Sequence, residues 1–95
     1  MKGVKFDKDK AQWWLLPWKP IIAIVEILQL GAEKYAAYNW QNVKDFKNRY
    51  YSALMRHLTA WWDGETMDPE SGKHHLAHVG CNVIFLLWYE LGGKK

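Results

Sequence analysis

DPESGKHHLAHVGCNVIFLLWYE, residues 68–90, joins an acidic turn ending in Ser-Gly to a run with three histidines and then to an almost wholly apolar segment. This stretch predicts a helix that opens near Lys73 or His74 and continues to Glu90, followed by a Gly-Gly-Lys-Lys tail. The rest of the fold is expected to be arranged around this helix.

The predicted helix carries polar side chains on one face and apolar side chains on the other, at about 100° per residue. The two faces are His75, His78 and Asn82 on one side and Leu76, Val83 and Leu87 on the other. A solvated polar face is the simplest interpretation, but the same stripe continues into Phe85 and Tyr89, which should not be wet. We therefore expect the histidine face to meet other protein along at least half its length. Buried polar groups there would need partners, which a metal or a phosphate would supply.

Two further helices are predicted upstream. The first starts after Pro20, which can occupy a first helical turn, and covers residues 21–35. The second begins around residues 43–45 and runs to near Glu65. No segment alternates as a strand would, so the chain is predicted to be all-α, a small bundle of about three main helices. The remaining segments are an N-terminal arm over residues 1–20 and a connector over residues 36–42.

Length and charge limit the class of protein. The 95 residues make one domain, in which 49% apolar residues and seven tryptophans can build a core, although a domain this small is marginal alone. The apolar surface exceeds what one small bundle can hide, so we expect a homo-oligomer, at least a dimer, to complete it. The net charge is only modestly positive, at +3. This charge suits a partner with phosphate groups, or it reflects ordinary surface lysines. A general nucleic-acid binder would carry more positive charge.

Cysteine usage and hydropathy predict a cytoplasmic location. Cys81 is the only cysteine and lies in an apolar run, so neither an internal disulfide nor a thiolate metal motif is available. The first ten residues contain no apolar signal region. The apolar stretches at 21–30 and 79–89 are too short to span a bilayer, so no membrane partner is expected.

Acidic side chains gather directly before the third helix, at Glu65, Asp68 and Glu70. One of Asp68, Glu70 and Ser71 should cap the helix, but three acids exceed what capping needs. Acids followed by histidines are typical of a divalent-cation site, although the chain has no HExxH motif and no HD dipeptide.

Polar groups on the other two helices leave alternatives open. Glu26 and Glu33 share a narrow face, which is either the only solvent-facing strip of the first helix or, if it faces the third helix, a ligand set for a hard cation. His57 borders the apolar stripe of the second helix and is expected to be a core residue hydrogen-bonded to its neighbours. Arg56 points the other way, where it either binds a phosphate or is exposed.

Taken together, five motifs resemble a phage and bacterial family described as dATP/dGTP diphosphohydrolase-like, which is related to the MazG-like all-α nucleotide pyrophosphatases. The resemblance runs from about Lys5 to Glu90. The motifs are Gly31-Ala32-x-Lys34-Tyr35, Asn39-Trp40, Arg56-His57, Gly64-Glu65-x-x-Asp68-x-Glu70-Ser71-Gly72 and His75-x-x-His78-x-x-x-Asn82. The resemblance implies metal-dependent cleavage of a nucleoside triphosphate between its α and β phosphates, which gives a monophosphate and pyrophosphate.

One motif departs from the MazG-like pattern. Those enzymes hold magnesium with acids on facing helices, including an ExxD pair on the last helix, and His75-x-x-His78 stands in that place here. Histidine is a poor ligand for Mg²⁺ and a better one for manganese, zinc or other transition metals. Either the metal differs, or the site binds a nucleotide without cutting it, or acids carry the coordination. The acids available are Glu26, Glu33, Glu65, Asp68 and Glu70.

For the chemistry that the resemblance implies, the sequence offers three sets of candidate site residues. The catalytic residues would be Glu65, Asp68 and His78. A divalent metal would be held by Glu65, Asp68, Glu70, His75 and His78. Mg²⁺ or Mn²⁺ is the first expectation, and the histidines also allow another transition metal. A purine deoxynucleotide would be held at its phosphates by Lys10, Lys34 and Arg56, and at its base and sugar by Asn39, Trp40 and Asn82. Each of these six residues can equally be structural, and Asn39-Trp40 can be a turn residue followed by a core anchor. The alternative function is a protein on the same fold that binds or sequesters a nucleotide without catalysis.

Overall fold

The computed structural model describes residues 3–93 and contains three α-helices: α1 (Trp18–Lys34), α2 (Phe46–Trp62) and α3 (His75–Glu90). Short 3-10 turns cover Trp13–Leu15 and Asn39–Asn42. The described part of the chain has no strand, only an isolated bridge between Met67 and His74. The prediction of a small all-α bundle with three main helices is confirmed.

α1 begins three residues earlier than predicted, at Trp18 rather than Ile21. Pro17 precedes the helix in an extended conformation, and Pro20 lies in the first turn, where a missing N–H group leaves no helical hydrogen bond unmade. The last three residues of the predicted arm are therefore helical.

α2 ends at Trp62, earlier than the predicted end near Glu65. Gly64 adopts a φ of +105°, a conformation that favours glycine. The Gly64 N–H group donates to the Trp61 carbonyl and the Glu65 N–H group to the Ala60 carbonyl, each at 3.0 Å, which closes the helix end. Glu65 consequently lies in the turn between α2 and α3.

The turn between α2 and α3 is organised by Asp68. Its carboxylate accepts from the Ser71 backbone N–H at 3.1 Å and from the Ser71 hydroxyl at 2.8 Å. The expected N-cap of α3 by Asp68, Glu70 or Ser71 was wrong. His74 caps the helix instead, because its Nδ1 accepts from the Leu76 N–H group at 3.0 Å, while Asp68 is held by its own turn.

α2 and α3 form an antiparallel hairpin. Ring pairs mark their register from one end to the other: Phe46 stacks on Tyr89 with centroids 3.6 Å apart, Tyr50 lies 4.9 Å from Phe85, and His57 lies 4.1 Å from His78. The aromatic rings therefore fill the open end of the hairpin, and the histidines lie beside the turn.

α3 is the central helix, with α2 on one side and α1 on another. The four buried residues of the described chain all lie on it: His75, Ala77, Cys81 and Asn82. α1 approaches α3 closely at Gly80, where an added Cβ would lie 2.6 Å from Cδ1 of Ile24, so a larger residue would displace that side chain. Lys73, just before α3, makes an ion pair of 3.4 Å with Glu26 of α1.

The polar face of α3 points inward and its apolar face points outward. His75 and Asn82 are only 3% and 7% exposed, whereas Val83 and Leu87 are 46% and 52% exposed. The expectation that the histidine face meets other protein is thus confirmed. Within residues 3–93, no helix combines the length and the apolar character that crossing a membrane demands.

Candidate metal centre

Two hydrogen-bonded chains of side chains meet beside the turn between α2 and α3. We call their six residues the histidine centre: Glu65, His75 and His57 in the first chain, and Asp68, Ser71 and His78 in the second. Each chain starts at a carboxylate and ends at an imidazole.

In the first chain, His75 Nε2 lies 2.7 Å from the Glu65 carboxylate, and His75 Nδ1 lies 2.9 Å from His57 Nδ1. The end of α2 positions the first residue of this chain, because the Gly64 cap places Glu65 in the turn facing α3. His75 is the most deeply buried of the three residues, so its two ring nitrogens depend on these two partners.

In the second chain, the Ser71 hydroxyl donates its single proton to Asp68 Oδ2, and His78 Nε2 lies 2.7 Å from the same hydroxyl oxygen. Because that proton is already used, His78 Nε2 must be the donor to Ser71. His78 Nε2 also lies 3.5 Å from Asp68 Oδ2.

The two chains are joined by the rings of His57 and His78, which stack with centroids 4.1 Å apart and planes 4° from parallel. His57, Asp68 and His78 each offer one ligand atom, and these atoms lie within 4.8 Å of one another. This is the group of side chains in the described residues that could hold a metal ion.

The donor types of this group fit a transition-metal ion. Two imidazoles and one carboxylate suit Mn²⁺, Fe²⁺, Co²⁺ or Zn²⁺ better than Mg²⁺, which prefers an all-oxygen set. With bonds of about 2.1 Å, ligand atoms around one ion stand roughly 3.0–3.4 Å apart, and His78 Nε2 and Asp68 Oδ2 lie 3.5 Å apart. His78 Nε2 can bind an ion only if its proton moves to Nδ1 and its hydrogen bond to Ser71 breaks. The ring stack does not fit as it stands, because one ion cannot lie in two parallel ring planes. Binding by both histidines requires one ring to turn out of the stack.

Burial and charge set the ionisation of the centre. Burial lowers the pKa of His57, and the neighbouring His78 lowers it further. Burial also lowers the pKa of His78, against the opposing effect of Asp68. Burial disfavours the ionised form of Asp68, but hydrogen bonds from Ser71 and Glu70 outweigh it and bring its pKa below the ordinary value. Neutral imidazoles and an ionised carboxylate are the forms that bind a metal.

The predicted metal ligands do not all converge. Glu65 and His75 contact each other, so the expected set of five is divided between a ligand group and the residues behind it. Glu70 is exposed and contributes its backbone N–H group to Asp68 at 3.4 Å. Glu26 pairs with Lys73 at the edge of the turn, while Glu33 is exposed near the end of α1.

The predicted nucleotide-binding residues lie in different surroundings. Lys10, Asn39 and Arg56 are exposed, and Lys34 lies 5.2 Å from the centre of the Tyr35 ring. Asn82 is buried and donates to the His78 carbonyl at 2.8 Å.

Trp40 has the surroundings of a structural anchor. Its ring stacks on Phe85 at 4.7 Å and meets the edge of Trp88 at 5.0 Å. Its carbonyl accepts from the hydroxyls of Tyr50 and Tyr89 at 2.9 and 2.8 Å. These contacts favour the core-anchor interpretation of Asn39-Trp40 over base stacking.

His57 is the member of the ligand group that was not predicted as a ligand. It is part-buried and bonded to a neighbour, as expected of a core histidine, but that neighbour belongs to the centre. The signal that could have found it is the antiparallel register, because a hairpin with its turn near residue 68 places position 57 opposite position 78.

Fold and site together define a small all-α protein with histidines and carboxylates gathered at the turn of a helical hairpin. The chain belongs to the family described as dATP/dGTP diphosphohydrolase, N-terminal, whose sequence profile matches residues 1–95. It is 33% identical over 88 residues to a protein of Salmonella phage PMBT28 named dATP/dGTP diphosphohydrolase, and the match covers 93% of this chain and 30% of that relative. The chain therefore spans less than a third of the relative's length. No solved structure matches the chain. The family predicted from the five motifs is confirmed.

Proposed function

We propose that this chain takes part in metal-dependent hydrolysis of purine deoxynucleoside triphosphates to monophosphates and pyrophosphate, which would adjust a cytoplasmic nucleotide pool. The observation that carries the proposal is the ligand group His57, Asp68 and His78 at the turn of the hairpin. The name of the phage relative supports the substrate class.

In this proposal His57, Asp68 and His78 hold the divalent ion, with Mn²⁺ favoured over Mg²⁺ by the histidines. The ion would neutralise charge on the triphosphate and increase the acidity of a bound water. Glu65 and His75 support the centre from behind His57. The exposed cations Lys34 and Arg56 are proposed to bind phosphate oxygens, with Lys10 from the arm as a third candidate.

The test is incubation with a panel of nucleoside triphosphates and Mg²⁺, Mn²⁺, Co²⁺ or Zn²⁺, with products separated by chromatography. We expect dATP and dGTP to give monophosphate and pyrophosphate. Asp68→Asn and His78→Ala should abolish this turnover while the far-ultraviolet circular dichroism stays helical, and Asp63→Asn should leave turnover unchanged as an exposed acid outside the centre. Release of inorganic phosphate instead of pyrophosphate, or full activity in both centre variants, would contradict the proposal.

A second candidate function is nucleotide binding without catalysis. It is favoured by the histidine pair in place of the acidic pair of MazG-like enzymes and by the ring stack, which must open before both histidines bind one ion. Calorimetric binding of dATP or dGTP, together with no product under any of the four metals, would support this candidate over hydrolysis.

We also propose that copies of this chain associate. The accessible surface of 7822 Å² exceeds the value of about 5,700 Å² expected for a folded monomer of this mass. The outward sides of α1 and α3 carry part of the exposed apolar surface. The exposed apolar side chains of these two helices include Trp18, Ile22, Val25, Leu76, Val83, Ile84 and Leu87.

A further inference from the structure

We infer that Glu65 and His75 are positioning residues that fix which nitrogen of His57 carries its proton, so that His57 presents Nε2 as the free ligand atom. The inference concerns the hydrogen-bond order within the centre, and it rests on the proposed function only where it names a metal as the ligand of that atom.

The first step concerns His75. A carboxylate accepts hydrogen bonds, so the 2.7 Å contact with Glu65 places a proton on His75 Nε2. A neutral imidazole carries one proton, which leaves His75 Nδ1 as an acceptor. Since His75 is 3% exposed, water does not compete for either nitrogen.

The second step concerns His57. Its Nδ1 lies 2.9 Å from His75 Nδ1, and two nitrogens at that distance need one proton between them. Because His75 Nδ1 is the acceptor, the proton belongs to His57 Nδ1. The lone pair of the neutral His57 ring is therefore at Nε2.

The third step is the consequence for a ligand. A metal-binding histidine commonly donates its other N–H group to a partner that fixes both its tautomer and its ring orientation. Here the partner is an imidazole that a carboxylate fixes in turn. Glu65 thus acts on His57 through His75 and need not touch the ion. This explains how Glu65 can contribute to the centre although it is not in the ligand group.

The decisive measurement is long-range ¹H–¹⁵N correlation NMR of the histidine rings in the metal-free protein at neutral pH. We expect His57 protonated at Nδ1 and His75 at Nε2. His57 protonated at Nε2, or His75 protonated at both nitrogens, would overturn the inference. The result does not depend on activity, so an inactive protein with the expected tautomers would contradict the proposed function and leave this inference intact.

Substitutions extend the test to ligand binding, measured by titration with Co²⁺ or Mn²⁺ alone. His75→Leu removes donor and acceptor at similar volume and should weaken metal binding by about 10–100-fold, whereas His75→Gln keeps both groups and should recover most of that loss. Glu65→Ala, at a half-exposed position, should also weaken metal binding, with Asp63→Ala as the matched control. Unchanged affinity in Glu65→Ala, or loss of affinity in His75→Gln equal to that in His75→Leu, would overturn the inference.

Discussion

At the residue scale, the two histidines that face each other across the hairpin are held by different partners. His57 is bonded to an imidazole and His78 to a serine hydroxyl, and each partner leads to a carboxylate. Both rings are part-buried, with pKa values below the ordinary histidine value. The centre is therefore built around neutral imidazoles, and protonation should disrupt it.

This ionisation predicts a pH dependence of stability. The unfolded chain has histidine pKa values near 6.5, above those of folded His57 and His78, so it binds more protons as the pH falls through that value. The free energy of unfolding contributed by these groups should be fully present above about pH 6.5 and decline below it. Urea titrations of the metal-free protein at pH 7.5 and 5.0 should show a lower midpoint at pH 5.0.

The matched variant is His57→Gln combined with His78→Gln, in which neither side chain titrates. Its midpoint should change less between the two pH values than that of the unsubstituted chain. An equal decline in both proteins would place the pH dependence elsewhere in the molecule.

The local pattern anticipated part of this chemistry. Spacing on one helix placed His75, His78 and Asn82 together, and all three lie on the inward face of α3. It did not pair His57 with them, because contacts between helices depend on the register of the hairpin. The spacing also did not show that Glu65 and His75 lie outside the ligand group. Which side chains bond to each other is decided only when the helices pack together.

At the element scale, the ends of the helices position the centre. Gly64 closes α2 so that Glu65 lies beside His75, and Asp68 holds the turn that brings Ser71 to His78. Helix number and approximate position followed from periodicity and from glycine and proline placement. The caps did not, because Asp68 and Ser71 bond to each other within the turn and leave the cap of α3 to His74.

Replacing two glycines by alanine should change the free energy of unfolding in opposite directions. Gly64 has φ +105° and no atom near the place of an added Cβ, so Gly64→Ala should destabilise the chain by backbone strain alone, by about 1–3 kcal/mol. Gly31 lies within α1 and has equally open space around it. Gly31→Ala should stabilise by roughly 0.5–1 kcal/mol, because alanine favours a helix interior.

Chemical denaturation of the two variants checks this difference. If both substitutions shift the unfolding midpoint in the same direction, the glycine cap is not what fixes the end of α2. Loss of the cap should also reduce metal affinity in Gly64→Ala, since Glu65 would leave its place behind His75.

At the scale of the whole molecule, α3 buries its polar face and exposes its apolar face, which is the opposite of an ordinary surface helix. Its polar face supplies the centre, and its apolar face, with Val83 and Leu87, is open to solvent. The sequence indicated this arrangement because the histidine stripe continues into Phe85 and Tyr89, which pack against α2. The sequence does not indicate which surface covers the apolar face of α3, because an interface depends on both of the surfaces that meet.

Association should depend on that apolar side. Leu87→Glu places a charge at a position that is 52% exposed, so the single chain should tolerate it while a contact between copies should not. Light scattering at micromolar concentration should give at least a dimer for the unsubstituted chain and a smaller species for Leu87→Glu. Glu90→Lys, an exposed charge change on the same helix, is the control. A monomer before substitution would contradict the proposed association.

The central claim is that His57, Asp68 and His78 bind a divalent transition metal, and calorimetric titration of the chain with Mn²⁺ and with Co²⁺ tests it most directly. The account predicts one ion per chain, with affinity lowered at least about tenfold in His57→Ala and in Asp68→Asn and unchanged in Asp63→Asn. Circular dichroism of each variant confirms that the helices are retained. No binding of either ion, or an affinity in the folded His57→Ala and Asp68→Asn variants equal to that of the unsubstituted chain, would contradict the account.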